Sequence, residues 1–175
     1  MKKKLLMFAL ITSTLFFLSS CKKSSAAVAS GAGSASSLAA GKCDIRCTYN
    51  GAASGSLASS LSLSSATSIS TIYNIFGGAL NGTTVLSGTI AMPANIAAGT
   101  YTQASAGAGL PNNMTFNFSS GSATWFCGGG TATGFKIIVT AVTANTVEGT
   151  FSGDLGSDVN ITKVTITNGT FSAKF

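Results

Sequence analysis

Val147-Glu148-Gly149-Thr150-Phe151-Ser152-Gly153-Asp154-Leu155 and Val164-Thr165-Ile166-Thr167-Asn168-Gly169-Thr170-Phe171 carry the plainest structural signal in the chain. In the first, Val147, Phe151 and Leu155 alternate with Glu148, Thr150, Ser152 and Asp154. A period of two is the mark of a strand with one face buried. Just upstream, Phe135, Ile137, Val139 and Ala141 face one way, and Lys136, Ile138 and Thr140 the other. Thr143-Ala144-Asn145 between these runs reads as a hairpin loop, which makes them antiparallel neighbours. Near the end, Val164 and Ile166 occupy even positions, whereas Phe171, Ala173 and Phe175 occupy odd ones. One face takes both sets only if the strand slips register. Asn168-Gly169 stands at that point and suits a bulge, because glycine tolerates a positive φ. Phe175 falls on the expected core face, so the last strand should dock centrally.

The same pattern extends upstream. Met114, Phe116 and Phe118 alternate with Thr115, Asn117 and Ser119, and Tyr49-Asn50-Gly51-Ala52 carries the Asn-Gly signal of a type I′ turn. About nine or ten strands fit between Cys43 and Phe175, with no helical period of useful length. The expected class is all-β: an antiparallel β-sandwich, with a small closed β-barrel as the alternative.

Composition narrows the chemistry. The chain of 175 residues has no histidine and only four acidic residues, Asp44, Glu148, Asp154 and Asp158. General acid–base catalysis draws on histidine or on tuned carboxylates, and a hydroxyl or thiol nucleophile needs a base beside it. Many hydroxyls with almost nothing to activate them argue against an enzyme, and no catalytic residue or cofactor is assigned. The full chain carries a net charge of +6. Much of that lies in the first residues, and the body is close to neutral. Nothing resembles the clustered basic patch that nucleic-acid binding requires.

The N-terminus supplies an address. Lys2, Lys3 and Lys4 precede an apolar run from Leu5 to Leu18, the layout of a secretory signal. As a helix that run would span roughly 21 Å, short of the hydrocarbon core of a bilayer. It ends Leu18-Ser19-Ser20-Cys21, which resembles the lipobox of bacterial lipoproteins. That resemblance implies cleavage between Ser20 and Cys21 and acylation of Cys21, with three chains making attachment effectively permanent. In the lipoproteins it resembles, an aspartate after the cysteine can hold the product in the inner membrane, so Lys22 and Lys23 here imply the outer membrane, on either its periplasmic or its outer side. Residues 1–20 are therefore read as the signal peptide. Residues 21–42, almost all Ser, Ala and Gly after the lysines, are read as a lipidated flexible tether, and 43–175 as one β domain.

Cys43, Cys47 and Cys127 remain after lipidation. An exported chain allows a disulfide. On one extended strand Cys43 and Cys47 would be roughly 13 Å apart, beyond the reach of a bridge. Pairing of Cys47 with Cys127 is preferred, with Cys43–Cys127 the alternative. Three thiols without histidine make a poor zinc site, and no metal is expected. Gly128-Gly129-Gly130 lacks the Lys-Ser or Lys-Thr of a phosphate loop and reads as a mobile connection. Trp125 and Phe126 beside it are the candidate ligand contact, a platform for a sugar. A lone tryptophan is more often core. Asp154 and Asp158 could hold calcium, although two carboxylates in a turn are usually solvated turn formers.

Val147-Glu148-Gly149-Thr150-Phe151 and Ile166-Thr167-Asn168-Gly169-Thr170-Phe171, with Ala98-Gly99-Thr100-Tyr101 after Met92-Pro93, resemble small lipoproteins of the Bacteroidetes. The likeness is to the domain of unknown function DUF6252 and covers roughly Gly55 to Phe175. It implies a β domain and carries over no catalytic residue. The cysteine set departs from that family. Together these readings predict an outer-membrane lipoprotein acting as a non-enzymatic binding or structural module, whose partner is a glycan or an envelope protein. A β-barrel carrier of an apolar ligand is the alternative.

Overall fold

Backbone hydrogen bonding turns the alternation into eleven strands: β1 (Lys42–Gly51), β2 (Gly55–Ala58), β3 (Ser64–Ile69), β4 (Ile72–Asn81), β5 (Thr84–Pro93), β6 (Gly99–Thr102), β7 (Thr115–Ser120), β8 (Ala123–Phe126), β9 (Lys136–Val142), β10 (Thr146–Gly156) and β11 (Lys163–Lys174). The structure is a computed structural model that describes residues 33–158 and 162–175. The signal segment, Ser20 and Cys21 lie outside the described residues.

The strands form one antiparallel sheet in the order β2-β1-β11-β10-β8-β7-β5-β4-β3, with β9 paired to β10 and β6 to β9. The sheet curls into a half-barrel. Its ends approach one another, since the Ala66 amide of β3 donates to the Gly41 carbonyl just before β1. The fold is therefore a single sheet, as in a barrel, with facing limbs packed on each other as in a sandwich. Phe116, Phe118, Phe135, Phe151 and Phe171 fill the space between, each almost fully buried. Tyr49 of β1 meets Phe118 of β7 across the core at 4.6 Å between ring centres, and Phe116 meets Phe151 of β10 at the same distance. Rings so buried contribute most of the apolar area that holds the limbs together.

β11 lies between β1 and β10, and it slips register on both sides at Asn168-Gly169. Asn168 adopts φ 52°, and the slip lets Val164, Ile166, Phe171 and Ala173 all face inward. Phe175 is half-buried and stacks on Tyr73 at 4.0 Å. The pairing also explains the two glycine–phenylalanine stretches. Gly149 sits opposite Phe171, and Phe151 opposite Gly169. Each ring lies over the glycine of the neighbouring strand. A Cβ on Gly149 would fall 2.6 Å from Phe171 Cε1 and closer still to the Ile138 carbonyl oxygen. A Cβ on Gly169 would fall 2.5 Å from Phe151 Cδ2.

Four details differ from the sequence reading. Ala141 is exposed, because a bulge opposite Glu148 and Gly149 turns the end of β9 and brings Val142 inward. Asn50-Gly51 is no two-residue turn. Tyr49 pairs with Gly55, so a longer loop joins β1 to β2, and Asn50 Oδ1 accepts from Gly51 N–H and Ser54 Oγ. Gly128-Gly129-Gly130 is packed, not loose. Gly129 lies backbone to backbone on Gly156, where a Cβ on either residue would overlap the other's carbonyl. Buried Gln103 holds the following segment, donating to the Ala132 carbonyl and accepting from Phe135 N–H.

Finally, the end of the presumed tether is part of the fold. Residues 33–35 lie as a strap across β1, β11 and β10. Gly33 N–H donates to Asp44 Oδ2, and Ala35 N–H and Ser34 Oγ donate to Glu148 Oε1. Ala35 is fully buried there. Two carboxylates capping backbone amides form charge-assisted bonds that a Ser/Ala/Gly composition does not announce.

The glycine contacts give a quantitative expectation. Gly149→Ala and Gly169→Ala should each destabilise the domain by about 3 kcal/mol, because rigid neighbouring backbone or a packed ring must move. Gly109, which has nothing within 4 Å of its would-be Cβ, should accept alanine with a change within about 0.5 kcal/mol. Urea unfolding of the three variants checks this.

Candidate functional site

β8 joins β10 through a single residue pair, Phe126 opposite Gly156. Beyond it the strands diverge, and a cleft of about 590 Å³ opens between them. Its walls are Ala52, Ala53, Ser120, Ser122, Ala123, Thr124, Ser157 and Thr162, with Trp125 at its base. Five of these nine residues bear hydroxyls, and among the described residues no charged side chain lines it. Trp125 itself is only 4 % exposed. Its indole packs beside Phe118 at 6.1 Å, and Nε1–H donates to Thr162 Oγ1 at 3.0 Å. The ring is thus a core element that offers an edge to the cleft, not an open stacking platform. Phe126 is half-buried and packs toward Gly129.

A second cleft, of about 650 Å³, lies at the other end of the molecule under the β3–β4 hairpin. Ser70, Thr71, Ile72, Met92, Pro93, Asn95 and Asn113 contribute to it, again without charge. The lack of charge has a plain origin in the chain: no Asp, Glu, Lys, Arg or His occurs between Arg46 and Lys136. Sequence reading missed the consequence. Ile69, Ile72, Phe76, Leu80 and Val85 stand exposed on the outer side of β3–β5, with Leu61 and Leu63 beside them. The signal was there in Ile72-Tyr73-Asn74-Ile75-Phe76, where apolar residues occupy both faces of one strand.

Cys43, Cys47 and Cys127, the cysteines among the described residues, are free and buried, and neither Cys47–Cys127 nor Cys43–Cys127 is joined. Each thiol is engaged where it stands. Cys43 Sγ donates to the Phe76 carbonyl at 2.9 Å, and Cys127 Sγ accepts from Phe116 N–H at 3.2 Å. Cys43 and Cys47 point from β1 into the core, while Cys127 follows β8 on the far limb beside Phe116. Burial pushes the Cys43 thiol up to about 11 and that of Cys47 up to about 12, and it raises Cys127 as well. Such thiols are small hydrophobes and not nucleophiles.

The carboxylates do not converge. Asp44 binds Arg46 and the Gly33 amide, and Glu148 binds the strap. Asp158 accepts from Gly130 N–H at 2.9 Å. Asp154 accepts from Lys163 Nζ at 2.8 Å and Thr165 Oγ1 at 2.7 Å. Partial burial works against its charge, but these bonds outweigh it and hold its pKa below the usual range. Asp154 and Asp158 therefore serve separate partners and build no shared calcium site. Among the described residues no group of three Asp, Glu or Cys side chains is placed to hold a metal.

No family model, no curated protein and no solved structure matches this chain.

The thiols set a pH dependence. The unfolded chain loses thiol protons near 9.0, whereas folded Cys43 and Cys47 keep theirs to about 11 and 12. The folded state then binds more protons, so stability falls as pH rises through that window. Melting temperature should decline above pH 9, with a shallower slope in Cys47→Ala. At pH 8 a thiol reagent should leave all three unmodified in the native protein and label all three in guanidinium without reductant.

Proposed function

We propose that the chain is a non-enzymatic binding or structural module, lipid-anchored in the bacterial outer membrane. The observation that carries the non-enzymatic part is the commitment of its acids. All four carboxylates of the sequence hold a backbone amide or a base in place, and the three thiols are held protonated by burial. Neither set is free to move a proton or attack a substrate. The anchoring part rests on Leu18-Ser19-Ser20-Cys21 behind a lysine-led apolar run. The kinship with DUF6252 lipoproteins rests on the two glycine–phenylalanine stretches. The reciprocal packing of those stretches supplies a structural reason for them.

A neutral polyhydroxyl ligand, such as a glycan, is the second reading, favoured by the hydroxyl-lined cleft above Trp125. A carrier of an apolar guest fits less well, because phenylalanine rings occupy the interior where the guest would lie.

Mass spectrometry of the protein from bacterial membranes tests the anchor. The N-terminal peptide should begin at Cys21 and carry fatty acyl groups, and Cys21→Ser should leave the protein uncleaved and without acyl groups. An N-terminus without lipid would refute the reading. For the second reading, oligosaccharide titration should shift Trp125 fluorescence, and Thr162→Val should weaken the shift.

A further inference from the structure

The described residues divide sharply by charge. Lysine, arginine and carboxylates lie on β1, β9, β10 and β11 and on the loop after β10, while β2 to β8 carry none. On the outer side of this uncharged half, the β3–β4 hairpin projects Ile69 and Ile72, which are 65 % and 48 % exposed. They are paired across the hairpin, and Ile72 sits opposite Pro93 of β5. Ser68, Ser70 and Thr71 flank them, so the tip is apolar with a hydroxyl margin. Phe76 continues the same face toward Leu63.

The strap fixes where the upstream chain arrives. It runs from β10 at Ala35 to β1 at Gly33, and Gly41, just before β1, meets β3 at Ala66. Gly33, the first described residue, therefore lies over β1, whose start is at the end of the molecule where Tyr73 stacks on Phe175 and the hairpin tip protrudes. With the strap folded, about a dozen residues separate Cys21 from Gly33, a length of chain that cannot exceed roughly 43 Å. An anchor at Cys21 therefore holds Gly33, and with it the body, within that distance of its leaflet.

We propose that the outer face of the β3–β4 hairpin, led by Ile69 and Ile72, rests in the interfacial region of the lipid leaflet that holds Cys21. This deepens the anchored-module reading and rests on it. The hairpin tip brings no charge to lipid, because Lys42, whose Nζ donates to the Ser64 carbonyl, is held at the start of β3, the far end of that strand from Ile69. The hydroxyls of Ser68, Ser70 and Thr71 sit at headgroup level, as amphipathic interfacial surfaces require.

The buried native cysteines allow an introduced surface cysteine to be labelled selectively. A polarity-sensitive dye is placed on Ile72→Cys or, as a reference on the charged half, on exposed Thr140 of β9 (Thr140→Cys), in the full acylated protein. Each is reconstituted into vesicles of phosphatidylethanolamine and phosphatidylglycerol. The expected result is a blue-shifted emission at position 72, quenched by lipid-borne nitroxide, with position 140 remaining solvent-like. Equal, solvent-like emission at both positions in vesicle-bound protein overturns the proposal.

Flotation of the wild-type protein reports the anchor separately. Should it fail to float, the anchored reading fails, and the face is judged on the Cys21→Ser protein with added vesicles. A blue shift at position 72 there supports the proposal, and none overturns it. In that protein, Ile69→Ser with Ile72→Ser should lower vesicle partitioning roughly tenfold. A shift at 72 that needs no lipid and follows dimer formation in sedimentation assigns the face to a second copy and also overturns the proposal.

Discussion

Two strands of this protein can lie together only because each is missing a side chain where the other places a ring. Gly149 and Gly169 have no Cβ, and Phe171 and Phe151 occupy the space across the β10–β11 ladder. The arrangement is reciprocal, so both rings are directed inward at neighbouring levels of the core. From there the rings connect the limbs: Phe151 reaches Phe116 and Phe135, and Phe171 reaches Phe151. β10 and β11 are also the longest strands and the hub of the sheet, with β1 on one side and β8 and β9 on the other. A change in their register would flip every inward residue outward, since the side-chain period is two. The bulge at Asn168 is what keeps both halves of β11 facing the core.

The second constraint is the distribution of charge. The acids of the described residues sit where they hold something: Asp44 and Glu148 hold the strap, Asp154 holds Lys163 and Thr165, and Asp158 holds the glycine-rich loop. Elsewhere, serine and threonine provide the polar surface. A hydroxyl can hydrogen-bond to water or to a neighbour without the desolvation cost of an ion. That choice makes one half of the domain tolerant of apolar surroundings. It also leaves Ser172 Oγ, buried between the strand positions of Asp44 and Glu148, without a partner among the described residues. Packing of Ala35 over this row has closed it off from water, a local cost that the two amide–carboxylate contacts of the strap offset.

What could be read from the chain is what alternation encodes. Phe116, Phe118, Ile137, Val139, Val147, Phe151, Leu155, Val164 and Ile166 all point inward as their parity requires, and the parity switch located the β11 bulge. The bulge near Thr140 left no such trace, because Ala141 and Val142 are both apolar and either could have been inside. Gly128-Gly129-Gly130 illustrates a different limit. Composition cannot distinguish a glycine chosen for freedom from one chosen for close approach, and Gly129 against Gly156 is the latter. The strap was hidden for a related reason: its anchoring groups, Asp44 and Glu148, are far from it in sequence. The pairing of the thiols was illegible too, since buried cysteine and bridged cysteine look alike in a list of residues.

Alternation also has nothing to say about the outward side of a strand. A run such as Ile72 to Phe76, apolar on both faces, reads as a strand covered twice, and in this fold only one cover belongs to the chain itself. Two explanations of such a run differ in what they require of its neighbours. An internal cover would need another element of the chain across β3–β5, and among the described residues the connections β2–β3 and β5–β6 pass at its margins without covering it. An external cover needs only that the face be free of charge over its whole width. Arg46 and Lys136 bound a stretch without a charged residue, and Lys42, on the Ser64 carbonyl, meets this face at the start of β3. Random surface apolarity would be interrupted by lysine or glutamate at intervals of a few residues, as typical soluble domains are. The uninterrupted stretch is therefore better explained by what lies outside the fold than by anything within it.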